Sequence, residues 1–198
     1  MTQRGRLLAV LAIVIGGAIA IISSTQTWVE VTLSAVATEP VPVPGAAAVS
    51  LLAPLSLAAL ALGLALTIVG HVLRYAFGAI AVLIGSALAF LSLRVGSALP
   101  LDAIAATVTA TTGLAGDDAV SSLVAVTVAT AWPFFAALAG ALIVAGGLLT
   151  LTTAHRWAEG GRRYQTDAGV AAATPTSRPH DAIDSWDDLS RGDDPTSR

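Results

Sequence analysis

A chain of 198 residues that is 55% hydrophobic and only 12% charged carries about half the charge density of a soluble domain, for which roughly 25% is usual. With its apolar residues gathered into long runs, this composition indicates a membrane protein. It contains no cysteine, which excludes disulfides, thiolate nucleophiles and zinc–cysteine sites, and no lysine, so arginine supplies every strongly basic side chain.

A bilayer core about 30 Å thick is crossed by roughly 20 apolar residues in a helix, and four segments approach that length. The first, LLAVLAIVIGGAIAIISS, covers about residues 7–24 and follows Arg4 and Arg6. RGR before an apolar run also fits a secretory signal. The run is long for that purpose, however, and no small-x-small site stands before Gln26, so a retained span is expected. The outer connection 25–46 opens with the alternating stretch Trp28 to Leu33, a strand pattern. It closes with PVPVPG, which favours extended backbone and ends any helix.

The second span is expected over about 47–70 and the third over about 76–97, joined by HVLRY, which forces an antiparallel helical hairpin. The outer connection 98–130 is rich in Ala and Thr, with room for a helix along the outer surface. The fourth span is expected over about 131–153. It could begin early on Asp117 or Asp118 as an N-cap and kink at Pro133, or begin late with Pro133 in its first turn. Backbone groups in lipid must bond within their own segment, so each span is read as a helix and the fold class as all-α.

Charge sets the orientation. Arg4, Arg6, Arg74, Arg156, Arg162 and Arg163 flank the spans on one side, whereas the two long connections hold Glu30, Glu39, Asp102, Asp117 and Asp118 and no basic residue. By the positive-inside rule both termini are cytoplasmic. Arg94 alone departs from the pattern. It is expected to snorkel to headgroups or to pair with Asp102; the functional alternative is to bind an anionic group from the outer side.

No ionisable residue lies near the centre of a span, where ion paths and substrate sites are marked. GxSxG, HExxH and phosphate-cradling loops are missing, and His71, His155 and His180 are far apart. The expectation is therefore a protein that is not an enzyme, with no cofactor, no metal and no nucleic-acid partner. Gly85 and Ala89, and Ala136 and Gly140, have the four-residue spacing that lets helices approach closely. Packing within one bundle is the plainer use of that spacing; a homo-oligomer is the alternative. Trp28, Tyr75, Trp132 and Trp157 fall at expected interfaces and read as anchors, with membrane lipid as partner. Trp28, lying in an outer strand, is also a candidate for an outer binding surface, as is Arg94.

Residues 154–198 read as a disordered cytoplasmic tail. Within its acidic segment 181–196, Ile183, Trp186 and Leu189 are spaced by three and flanked by Asp184, Asp187 and Asp188. On a helical turn these three form an apolar stripe suited to a partner's groove. A cytoplasmic protein partner is thus expected at Ile183, Trp186, Asp187, Asp188 and Leu189, continuing through Gly192, Asp194, Pro195 and Thr196.

RGRLLAV at the start, TWVEV after the first span and SWDDLSRGDDPT near the end resemble the tryptophan-biosynthesis-associated membrane proteins of high-GC Gram-positive bacteria. The resemblance implies four spans and a gene placed beside those of tryptophan synthesis. It assigns no activity and no functional residues. An accessory or scaffold protein whose tail recruits a partner is the leading expectation, with an exporter subunit for tryptophan or a related aromatic metabolite as the alternative.

Overall fold

The computed structural model describes residues 2–34 and 39–157. Helix α1 (Thr2–Ser24) leads into strand β1 (Thr27–Leu33), and strand β2 (Val41–Pro44) follows. Helix α2 (Gly45–Ala48), helix α3 (Leu52–Ala65) and helix α4 (His71–Ala98) come next. Helices α5 (Leu101–Thr112) and α6 (Asp117–Leu123) precede strand β3 (Val124–Ala129), and helix α7 (Trp132–Thr153) ends in a 3-10 turn at Ala154–Arg156.

Three helices, α1, α4 and α7, are long and apolar enough to cross a membrane, and α3 is a shorter apolar helix. Each carries large apolar side chains pointing outward, among them Leu7, Leu64, Leu83, Phe90 and Leu138. Outward leucines on every long helix would be costly in water and are the ordinary surface of a helix in lipid.

The bundle order follows from where small residues fall. Helix α7 lies between α1 and α4, and α1 lies between α7 and α3. Adjacent glycines of α7 serve its two neighbours: a side chain on Gly146 would strike Ile13 and Ala9 of α1, and one on Gly147 would strike Val82 and Gly78 of α4. At the closest point of α4 and α7, a Cβ on Gly85 would lie 2.6 Å from the Gly140 carbonyl oxygen. Gly85, Ala89, Ala136 and Gly140 are thus consumed by packing within one bundle, where contact area takes the place of the hydrophobic drive that lipid removes. Buried hydroxyls bond backward along their own helices, Ser56 to the Leu52 carbonyl and Thr150 to the Gly146 carbonyl, so two of these interior polar groups are satisfied without a partner helix.

At one end of the bundle β1 is the centre of an antiparallel sheet ordered β2-β1-β3, with Val29 opposite Val43 on one side and Ala129 on the other. The all-α expectation is therefore corrected: the protein is mostly helical with a three-stranded sheet. PVPVPG supplies the edge strand β2, where prolines leave no required ladder bond unmade. The third strand was hidden in the long connection 98–130, whose VAVTVA becomes β3, continued by Thr130, which donates to the Trp28 and Thr27 carbonyls. Helices α5 and α6 fill the rest of that connection, with α5 packed over α2 and β2.

The second expected span, 47–70, is not one helix. Val49 is extended (φ −136°, ψ 97°) and separates α2 from α3, and Pro54 sits in the first turn of α3, a position that proline favours. HVLRY is not a loop either; its residues form the first turns of α4, and the connection shifts to 66–70. The fourth span matches, with Pro133 in the first turn of α7. Asp117 and Asp118 open the separate helix α6, not an early start of that span, and the residue before them, Gly116, provides no side-chain cap.

Candidate functional site

Two ends of the bundle carry polar chemistry. At the end away from the sheet, the Arg6 guanidinium donates to the Thr67 carbonyl just past α3, which sets the start of α1 beside the exit of α3. Arg74, in the first turns of α4, is only 4% exposed. Its Nε donates to the Val69 carbonyl at 3.2 Å and its Nη1 to the Trp157 carbonyl at 3.3 Å, while the guanidinium stacks 5.6 Å from the Trp157 ring. Trp157 is itself buried, and its Nε1 donates to Thr153 Oγ1 at 2.9 Å. Arg74 therefore bonds carbonyls left over where two segments end, α3 and the turn after α7. Sequence reading gave it only a topological role in a loop. Its helical phase with Gly78, Ala81 and Gly85 on the buried face was the available signal.

Two expected anchors change role. Trp157 is a packed base for Arg74, not a residue facing lipid headgroups. Trp28, named as a candidate outer surface, is 0% exposed. Its Nε1 donates to the Ser23 carbonyl at 2.9 Å and lies 3.0 Å from Ser23 Oγ. Gly45 lies against the indole, since a Cβ there would come within 2.6 Å of Nε1. Trp28 pins the sheet to the end of α1 and offers no face to a ligand. Trp132 is half-buried against Phe135, and Tyr75 meets His71 edge-on at 5.3 Å.

At the sheet end, Arg94 Nη2 and Asp102 Oδ2 form an ion pair at 2.9 Å, with side chains 47% and 64% exposed. The pair arises because α4 stops at Leu99, held in the left-handed conformation (φ 46°, ψ 55°), and Pro100 restarts the chain as α5. That reversal brings Asp102 over the last turns of α4. Beside the pair opens a cleft of about 380 Å³ between the α2–α3 break, the end of α4 and the start of α5. Its walls include Val49, Leu51, Leu91, Val95, Pro100 and Ala106. Arg94 and Asp102 were foreseen as partners, whereas the cleft required the helix break, which the even hydropathy of 47–70 conceals.

Among the described residues no group of three His, Asp or Glu side chains could hold a metal ion. Ser92, on the buried face of α4, is the buried side chain whose hydroxyl lacks a hydrogen-bond partner among the described residues. The candidate partner-binding residues Ile183, Trp186, Asp187, Asp188, Leu189, Gly192, Asp194, Pro195 and Thr196 lie outside the described residues.

Comparison with known proteins adds one finding: the family described as tryptophan-associated transmembrane protein matches residues 10–196. No curated protein and no solved structure matches the chain.

Proposed function

We propose that this chain, which belongs to the tryptophan-associated transmembrane protein family, crosses the bacterial plasma membrane four times with both ends cytoplasmic and acts as an accessory or scaffold protein. Its acidic segment 181–196 binds a cytoplasmic protein, an enzyme of tryptophan synthesis being the first candidate. The observation that carries this reading is the stripe Ile183, Trp186, Leu189 set among aspartates, on a chain whose last described residue, Trp157, stands at the arginine-bearing end of the bundle. A solvated tail gains nothing from an exposed indole, whereas a groove on a partner does.

Four crossings are supported by the course of α3. Its 14 residues rise about 21 Å at roughly 1.5 Å each, and the turn that follows reaches Arg6. Helix α3 thus leads from the sheet end to the end where α1 starts and α7 finishes. Arg4, Arg6 and Arg74 belong to that end, and Glu30, Asp102, Asp117 and Asp118 to elements of the other, the asymmetry the positive-inside rule reads.

The test is affinity purification of the full chain from its host in mild detergent, beside a variant lacking residues 181–198 and a Trp186→Ala variant. One or more cytoplasmic proteins should be retained by the full chain and lost from both variants. Identical retained sets would remove the reading. The exporter alternative calls for polar groups along the bundle, and the buried ones among the described residues are the hydroxyls of Ser23, Ser24, Ser56, Ser92 and Thr150 and the Arg74 guanidinium at one end. Flux of tryptophan or anthranilate across vesicles with and without the protein separates the two.

A further inference from the structure

We propose that the cleft beside Arg94 and Asp102 binds a zwitterionic amphiphile: a molecule with an ammonium and an acid group close together on an apolar body. A free amino acid with a large side chain and an ethanolamine phospholipid headgroup share this chemistry.

The ion pair is the first reason. Side chains this exposed gain little from pairing, since water screens the attraction, and α5 is already held by the buried Ala103, Ile104 and Val108. The pair is therefore poorly employed as a clamp. It is also incompletely used: one guanidinium nitrogen meets one carboxylate oxygen, out of five N–H donors and two oxygens. Arg94 can accept a ligand's acid group, and Asp102 its ammonium, without breaking their own contact. A ligand with one charge fares worse, because a lone anion meets Asp102 and a lone cation meets Arg94.

The surroundings agree. No other charged residue lines the cleft, so the pair alone sets its electrostatics. Helices α3 and α5 both start at its wall, and neither has a side-chain N-cap bond. Asp102 already answers the positive end of α5, so the start of α3, with no acid in its first turn, favours the ligand's acid group while Asp102 takes the ammonium. Apolar walls of Val49, Leu51, Leu91 and Val95 suit an alkyl or aromatic body. The volume of about 380 Å³ falls within the span of roughly 300–1,000 Å³ usual for small-molecule sites. The cleft lies between the α2–α3 break, the last turns of α4 and the start of α5, at the end opposite Trp157, so it is independent of the tail.

The experiment uses the full chain in nanodiscs of dioleoylphosphatidylglycerol, which offers no ammonium. One arm titrates radiolabelled L-phenylalanine, L-leucine and L-tryptophan, with phenethylamine and 3-phenylpropionate as single-charge controls. The other arm adds dioleoylphosphatidylethanolamine and reads retained lipid by native mass spectrometry. Saturable binding is expected in at least one arm, and the arm identifies the source. Arg94→Gln and Asp102→Asn should each weaken it about tenfold or more, the scale of a lost charge-assisted bond. Either variant could loosen α5, so Ala106→Trp, which fills the cleft and keeps the pair, should abolish binding at an unchanged melting temperature. Removing residues 181–198 should leave binding intact. Absence of saturable binding in both arms, equal binding of the single-charge controls, or binding that survives Ala106→Trp overturns the proposal.

Discussion

Arg74 brings a full charge into the base of the bundle with no carboxylate beside it among the described residues. What stabilises it there is geometry: a planar fork reaches the Val69 and Trp157 carbonyls while its face lies on the indole. Lysine has the charge without the fork. Arg74→Lys should therefore lower the unfolding free energy by roughly 1–3 kcal/mol, the worth of hydrogen bonds to a charged group, when titrated with a denaturing detergent. Unchanged stability would show that the carbonyls are satisfied without the guanidinium. At the other end, Trp28 shows why residue type alone misleads. A tryptophan beside a span reads as an interfacial anchor, yet whether its ring meets lipid or protein depends on what folds back over it. Here Gly45, seventeen positions on, lies against the ring. Arg94 and Asp102, eight residues apart, were legible as a pair because a single turn could bring them together.

At the scale of elements, hydropathy located α1, α4 and α7, because a long apolar run has few other uses. It could not divide 47–70 into α2, the extended Val49 and α3, since Ser50 is the one polar residue at the break, a lone serine is ordinary within a span, and only Pro54 hints at a new start. Nor could it pair β3 with β1, because strand partners more than ninety residues apart leave no mark on local composition. Helix contact is more predictable. Gly140 meets Ala89 and Gly85 at 2.7 Å from where its Cβ would be, whereas Gly70 has nothing within 4 Å. Gly140→Val should force α4 and α7 apart and leave little folded protein by size-exclusion chromatography in detergent. Gly70→Ala, at an extended φ of −72°, should change the melting temperature by no more than a few degrees, and equal damage from both would contradict the packing.

Over the whole molecule, the proposed four crossings predict a pattern that reporters can read. Fusions at Glu30 and at Thr67, on either side of α3, should report opposite sides of the membrane, as should fusions at Asp117 and Trp186, on either side of α7. Glu30 and Thr67 on one side would mean that α3 does not cross, leaving three spans. The sequence by itself determined the solvent this protein lives in, the three long spans and the asymmetry of charge, because each is written in runs of twenty residues or in signs counted along the chain. Only the tertiary structure decided that Trp28 and Arg74 are buried, that a sheet caps one end, and that a cleft opens beside Arg94. Those outcomes depend on which distant backbone happens to lie against a side chain, and chain order does not encode that proximity.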